Sequence, residues 1–99
     1  MIKHIVLYRL TSSATPEELE EAIAKFKSGI EALPATISVI RSIKVSANIN
    51  PKEAAHVCLD SRFSSLDDLA TYAAHPAHKA VAGAFHPFIE QRMCVDSEE

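Results

Sequence analysis

The sequence lacks several residue types and patterns that would identify a class of protein at once. Its 99 residues include no tryptophan, only two glycines and two cysteines, and no apolar run long enough to span a membrane. With two glycines the chain cannot build a glycine-rich phosphate-binding loop. Its 10 basic and 13 acidic residues leave a formal net charge of −3, so no nucleic-acid surface is expected. The remaining composition is typical of one soluble globular domain.

The cysteine pattern indicates neither a metal site nor a disulfide framework. Cys58 and Cys94 are 36 positions apart, outside any zinc or redox spacing, and both lie in apolar stretches. We expect two buried thiols in a reducing compartment. The N-terminal stretch is too short and too polar for a secretory signal, so the expected location is the cytoplasm. The domain is expected to fill residues 1–99, with the acidic residues 96–99 as a frayed, disordered tail.

Local signals predict the order β-α-β-β-α-β. Thr15, Pro16 and Glu18 form the capping signature that begins the first helix, and Pro34 ends it. Ser65 is the expected N-cap of the second helix. Strands are predicted over residues 2–10, 36–50, 54–63 and 87–96, and helices over 12–35, 64–75 and 76–85.

This order is that of the ferredoxin-like α+β sandwich, in which an antiparallel sheet carries its helices on one face. Right-handed crossovers place the first and third strands at the centre of the sheet. The first strand, residues 2–10, is nonetheless apolar on both faces. Such a strand is usually covered on both sides. We therefore predict a homodimer in which two sheets close into an α+β barrel.

The stretch YAAHPAH gathers the residues best suited to chemistry. Tyr72, His75 and His78 are either a helix-to-helix corner or one wall of a pocket. Pro76 pushes His75 out of helical geometry and opens a new helix. The two histidines are three residues apart, which is not the four-residue spacing of a helical zinc site. No metal and no cofactor are expected.

A histidine on the first strand makes the pocket interpretation stronger. His4 shares a face with Val6, and this face is expected to look towards the helices. If the second helix packs over this strand, His4, Tyr72 and His78 can face one cavity. Two imidazoles and a phenol make a plausible acid–base set near neutral pH.

The N-terminal MIKHIVLYRL, the block RFSSLDDLATYAAHPAHKAV and the closing phenylalanine-rich strand resemble the stress-responsive α/β barrel (Dabb) family. The resemblance covers nearly the whole chain and implies a dimeric ferredoxin-like barrel. Some plant members are polyketide cyclases that perform an intramolecular aldol condensation without a cofactor. In those, the residues corresponding to His4, Tyr72 and His78 carry the chemistry or line the pocket, with the second histidine of HPAH as the base. Phe26 stands where those cyclases use a further tyrosine.

Three functions follow from the resemblance and from the residues together. One is a small-molecule-binding barrel with no established reaction, for a small apolar or carbonyl-containing ligand. Another is a cofactor-free cyclase, lyase or isomerase that uses His78, Tyr72 and His4. The third is a monooxygenase-like barrel or an accessory domain that regulates another enzyme. Phe26, His75 and Val6 are the expected pocket-lining residues.

Overall fold

The structure, a computed structural model, describes all residues from Met1 to Glu99. Two short 3-10 turns, Leu33–Ala35 and His86–Phe88, separate some of the longer elements. The longer elements are β1 (Ile2–Leu10), α1 (Pro16–Glu31), β2 (Ser42–Ala47), β3 (Val57–Phe63), α2 (Leu66–Ala74), α3 (Pro76–Phe85) and β4 (Ile89–Glu98). The predicted element order and α+β class are confirmed.

The four strands form one antiparallel sheet in the order β2-β3-β1-β4. The two central strands are therefore β1 and β3, as the crossover rule predicts. In the pairing register, His4 lies opposite Ser61 on one side and Asp96 on the other. This register decides which side chains of the two outer strands reach the face of His4.

One face of the sheet is buried under the helices. Residues of β1 alternate in burial from His4 onwards, and β3 alternates throughout its length. The buried side chains of α1, such as Phe26 and Ile30, join those of the sheet in one hydrophobic core. Because the side chains of a strand point alternately to its two faces, His4 and Val6 lie on the helix side together.

The helix boundaries follow the predicted capping residues. The Thr15 hydroxyl accepts a hydrogen bond from the Glu18 backbone N–H at 3.1 Å, and the Glu18 carboxylate accepts one from the Thr15 N–H at 2.8 Å. The Ser65 hydroxyl likewise accepts from the Asp68 N–H at 3.1 Å. These side chains bind backbone donors that have no partner inside the helix.

The predicted second strand is too long. The strand covers Ser42–Ala47 only, whereas residues 36–50 were expected to be extended. Ile37 donates its backbone N–H to Leu33, and Ile40 donates to Ile37, as in helical turns. Both isoleucines are still buried, so their apolar character reflects packing under a turn rather than an alternating strand.

The expectation of a disordered acidic tail is also wrong. The last strand, β4, runs to Glu98, which lies opposite Ile2 in the sheet. The Glu99 carboxylate accepts hydrogen bonds from the guanidinium of Arg62 at 3.0 to 3.3 Å. Strand pairing and this ion pair hold a segment whose composition alone favours solvent.

The helix-free face of the sheet is open and carries an exposed apolar patch among charged side chains such as Arg9 and Lys44. Leu7, Met93 and Val95 on this face are 41%, 62% and 63% exposed. Cys58 lies on the same open face and is partly buried, whereas Cys94 is exposed, so the prediction of two buried thiols fails for Cys94. None of the helices has the length and apolar character that a membrane crossing requires.

Candidate functional site

The central strand β1 supplies the first polar group of the site. His4 lies on the helix-covered face and is only 7% exposed, with the fully buried Val6 two residues further on. The Phe63 ring meets the imidazole edge to face, with 6.3 Å between the ring centres. A histidine in this setting has a fixed orientation, because close-packed neighbours allow few side-chain rotamers.

The corner between α2 and α3 supplies Tyr72 and His78. α2 ends at Ala74 because the following His75 is extended, with φ −66° and ψ 134°, which is the geometry that Pro76 imposes on it. His75 Nδ1 then accepts a hydrogen bond from the Ala77 N–H at 3.0 Å and caps α3. His78 is one turn further on, on a helix with a new axis.

These residues meet at a cavity of about 580 Å³ between the sheet and the helices. His4, Tyr72 and His78 all line it, together with Phe26 and Val6. His75 does not line it, because its imidazole is occupied as the cap of α3. The volume lies within the range that is typical of small-molecule sites.

Tyr72 is the most unusual polar residue of the cavity. Its side chain is 1% exposed, and its hydroxyl is the buried side-chain polar atom that has no hydrogen-bond partner. Burial raises the pKa of Tyr72 strongly, and the nearby Tyr8 raises it further. The hydroxyl therefore stays protonated and is available as a donor. Leaving a buried hydroxyl without a partner costs about 1–3 kcal/mol.

His78 is arranged to act as a proton acceptor. Its Nδ1 lies 3.1 Å from the Ala73 carbonyl oxygen, which can only accept, so Nδ1 carries the proton and Nε2 is the free acceptor. Burial lowers the pKa of His78, and the hydrogen bond to Ala73 opposes this shift in part. Its ring lies 4.4 Å from that of Tyr72, centre to centre.

The edge strand β4 adds polar groups that sequence reasoning missed. Arg92, Cys94 and Asp96 alternate along this strand on the face of His4 and line the same cavity. His4 Nδ1 lies 2.5 Å from Asp96 Oδ1, and this short contact ties the imidazole to the edge strand. Asp96 was missed because it falls in the segment that was expected to be frayed.

The aromatic wall of the cavity departs from the cyclase pattern. Phe26 stacks on Phe85 with 4.1 Å between ring centres and meets Tyr8 edge to face at 5.4 Å. It contributes shape but no hydroxyl. Tyr8 of β1, which was not selected from the sequence, brings a second phenol to the cavity, and burial raises its pKa. The signal for Tyr8 was its spacing of four residues from His4 on one strand face.

Two other depressions of similar size have a different character. One, of about 530 Å³, lies between α1 and α3, and the other, of about 480 Å³, lies on the open face of the sheet. Neither is lined by a histidine or a tyrosine. The candidate site is therefore the cavity that contains Tyr72 and His78.

The protein is an α+β protein of ferredoxin-like fold, because its four-stranded antiparallel sheet has helices on one face. A cavity lined by histidines and tyrosines lies between the two layers. The family model for the stress responsive A/B barrel domain matches residues 2–99. The chain belongs to this family, as the resemblance of its motifs implied.

Similar solved structures agree with this assignment. A dimeric ferredoxin-like protein of unknown function from Bacteroides fragilis is 46% identical, with a TM-score of 0.96 over 99% of this chain and 95% of the other. A dimeric ferredoxin-like protein from Thermobifida fusca, also of unknown function, is 23% identical, with a TM-score of 0.79 over 99% and 90%. The hydroxynitrile lyase of Passiflora edulis is 19% identical, with a TM-score of 0.74 over 97% and 90%. No curated protein matches the chain.

Proposed function

We propose that the protein binds a small, largely apolar molecule with a carbonyl group and transfers a proton next to that carbonyl without a cofactor. The observation that carries this proposal is the buried Tyr72 hydroxyl, which has no protein partner and belongs to a residue of the cavity wall. A buried donor without a partner calls for a ligand acceptor. A carbonyl oxygen is such an acceptor, and 11 of the 16 lining residues are hydrophobic, which suits an apolar ligand body.

The two groups of the helix corner divide the reaction between them. Nε2 of His78 takes a proton from the carbon beside the carbonyl, and the electrons of the C–H bond move to the carbonyl oxygen. The Tyr72 hydroxyl donates a hydrogen bond to the enolate oxygen that forms. Returning the proton to the opposite face of that carbon, or to another carbon, is an isomerisation, and attack of the enolate carbon on a second carbonyl gives an aldol-type product once the new alkoxide takes up the proton. His4 is a third polar group that lines the same cavity.

A known enzyme of this fold is consistent with a catalytic cavity. One structural neighbour is a hydroxynitrile lyase, although its 19% identity supports only a common fold. Phe26 argues against assigning the plant cyclase reaction, because it supplies no hydroxyl where those enzymes have a tyrosine. The proposal is therefore limited to proton transfer beside a carbonyl, the step that Tyr72 and His78 can perform.

We also propose that the working form is a homodimer. The open sheet face exposes Leu7, Met93 and Val95, and two of the similar structures are described as dimeric. A second copy would cover this apolar patch and leave the cavity on the opposite side of the sheet accessible.

The two free cysteines suit the reducing cytoplasm, which we propose as the location of the protein. They lie on opposite faces of the sheet and so cannot pair within one chain.

The first test measures proton transfer with phenylacetone as the probe. Deuterium incorporation from D2O at the carbon beside the carbonyl is followed by NMR, with and without the protein. We expect acceleration above buffer, a loss of about 100-fold in His78→Gln and of at least about 10-fold in Tyr72→Phe. The melting temperature of Tyr72→Phe should be equal to or higher than that of the wild type, because the buried hydroxyl makes no hydrogen bond within the protein and its removal relieves a desolvation cost.

His75→Asn is the matched control. Asparagine is a good N-cap, so α3 keeps its cap while the imidazole nearest to His78 in sequence is removed. This variant should exchange deuterium as fast as the wild type. A wild-type rate equal to that of buffer, or an equal loss in His75→Asn and His78→Gln, would contradict the proposed role of His78.

A further inference from the structure

Three metal-ligating atoms converge on one wall of the cavity. His4 Nδ1, Cys94 Sγ and Asp96 Oδ1 all lie within 4.8 Å of one another. The sulfur is 3.4 Å from the imidazole nitrogen and 3.7 Å from the carboxylate oxygen. The proposed proton transfer uses neither Cys94 nor Asp96. It therefore gives no reason for these two side chains to lie beside His4.

The sheet builds this cluster from two paired strands. Asp96 lies directly opposite His4 in the register of β1 and β4, and Cys94 lies two residues before it on the same face. Side chains that are opposite and diagonal on one sheet face come within reach of each other. Because paired backbones position all three, the cluster is held by the sheet rather than by a flexible loop.

Two of the three distances between these atoms are close to those around a tetrahedral zinc ion. With Zn–S bonds of about 2.3 Å and Zn–N and Zn–O bonds of about 2.0 Å, tetrahedral ligand atoms lie about 3.3–3.6 Å apart. Both distances from the sulfur agree with this range within about 0.1 Å. The third distance, 2.5 Å between nitrogen and oxygen, is that of a hydrogen bond and would have to open to about 3.3 Å.

The charges of the cluster also suit a divalent cation. A thiolate and a carboxylate together carry two negative charges, which neutralise one divalent ion. Arg92, two residues before Cys94 on the same face, carries the opposing positive charge. The single positive charge of Arg92 is smaller than the two negative charges of the thiolate and the carboxylate, so the cluster stays attractive to a cation. The Asp96 side chain is 37% exposed and Cys94 is exposed, which gives an ion a path from solvent.

We propose that His4, Cys94 and Asp96 bind one zinc-class divalent cation per chain and leave its fourth position open towards the cavity. On binding, the Cys94 thiol releases its proton to solvent, and the imidazole proton moves from Nδ1 to Nε2 of His4. The ion replaces the hydrogen bond between His4 and Asp96. An open position on a three-ligand ion can take an oxygen atom of a cavity ligand. This site shares His4 with the cavity of the proposed proton transfer, but it goes beyond that reaction and does not depend on it.

The test is a titration of the full-length, untagged protein with Co²⁺ in the presence of a phosphine reductant and in the absence of air. We expect one Co²⁺ per chain, with the visible bands of a four-coordinate ion and a near-ultraviolet thiolate-to-cobalt charge-transfer band. Zn²⁺ should displace Co²⁺ and thereby remove both the visible bands and the charge-transfer band. Cys94→Ser should lose the charge-transfer band, and Cys94→Ser and Asp96→Asn should each weaken Co²⁺ binding at least about tenfold.

Cys58→Ser is the matched control, because Cys58 is the other thiol and lies on the opposite face of the sheet. It should bind Co²⁺ like the wild type. Wild-type protein that shows no charge-transfer band would overturn the proposal and leave His4 and Asp96 as a hydrogen-bonded pair. A band that survives in Cys94→Ser and disappears in Cys58→Ser would also overturn it. Since binding is read without any substrate, failure of deuterium exchange leaves this result unaffected.

Discussion

Tyr72 and His78 show how two neighbouring side chains acquire opposite chemical tasks from one environment. Burial raises the pKa of the phenol and lowers that of the imidazole, because in each case it disfavours the charged form. The phenol stays a donor and the imidazole stays an acceptor near neutral pH. Residue identity at positions 72 and 78 indicated candidates, whereas the burial that separates their roles comes from the packing around them.

The lowered pKa of His78 predicts a pH dependence with a definite direction. Its folded-state pKa lies below the ordinary 6.5, so Nε2 is free at neutral pH. We expect deuterium exchange to fall on acidification, with a midpoint below pH 6.5. NMR titration of the His78 ring, assigned by comparison with His78→Gln, checks the midpoint directly.

The same shift predicts how His78 affects stability. The unfolded state binds a proton more readily than the folded state, so the stabilisation present above pH 6.5 is lost as pH falls through the lowered folded pKa. Urea unfolding of wild type and His78→Gln should show a difference that changes over this interval. A ring that titrates at or above pH 6.5 would contradict both expectations.

The contact between α1 and α3 illustrates what decides the packing of elements. A Cβ atom added at Gly29 of α1 would lie 2.9 Å from Cγ1 of Val81 on α3, which is closer than such atoms approach. A Cβ atom added at Gly83 of α3, by contrast, would have no other atom within 4 Å. Gly29 therefore permits the two helices to approach, whereas Gly83 only leaves the backbone of α3 less restricted.

This contrast predicts opposite effects for the same substitution. Gly29→Ala should destabilise the protein by about 1–3 kcal/mol, since Val81 is short and stiff and must move. Gly83→Ala should stabilise it by about 0.5–1 kcal/mol, because alanine is a better helix former than glycine. Urea unfolding of the two variants beside wild type measures both. Equal changes in the two variants would show that helix propensity, and not the contact with Val81, controls the result.

The complete molecule has one sheet face covered by helices and one that is open and carries an exposed apolar patch. Leu7 and Met93 lie opposite each other in the sheet, and both are exposed on the open face. A chain of 99 residues has a thin core, so covering this face with a second copy would add to its stability. Apolar residues on both sides of β1 predict this open apolar patch from the sequence.

Charging the open face tests the homodimer. Met93→Glu places a charge in the proposed interface and should weaken the dimer at least about tenfold, because a buried unpaired charge is costly. Size-exclusion chromatography with light scattering gives the mass at several concentrations. Ile49→Glu is the control, since Ile49 is 96% exposed and lies outside the sheet. A monomeric wild type, or a dimer that Met93→Glu leaves intact, would contradict the interface.

Local signals in the sequence were sufficient for the element order, the helix caps and the corner at Pro76. These depend on hydrogen bonds and steric limits between residues a few positions apart, so they can be read from short stretches. The alternation of β1 also placed His4 and Val6 on the helix side of the sheet. The family resemblance, carried by the same stretches, pointed to Tyr72 and His78.

The part played by the last strand could not be read in this way. Asp96 contacts His4 across 92 positions of sequence, and that contact exists because β4 pairs with β1 in one particular register. The acidic composition of residues 96–99 favours a frayed tail, because their backbone groups have no hydrogen-bonding partner nearby in sequence. Pairing with a central strand supplies those partners, and it brings Cys94 and Asp96 to the cavity that Tyr72 and His78 line.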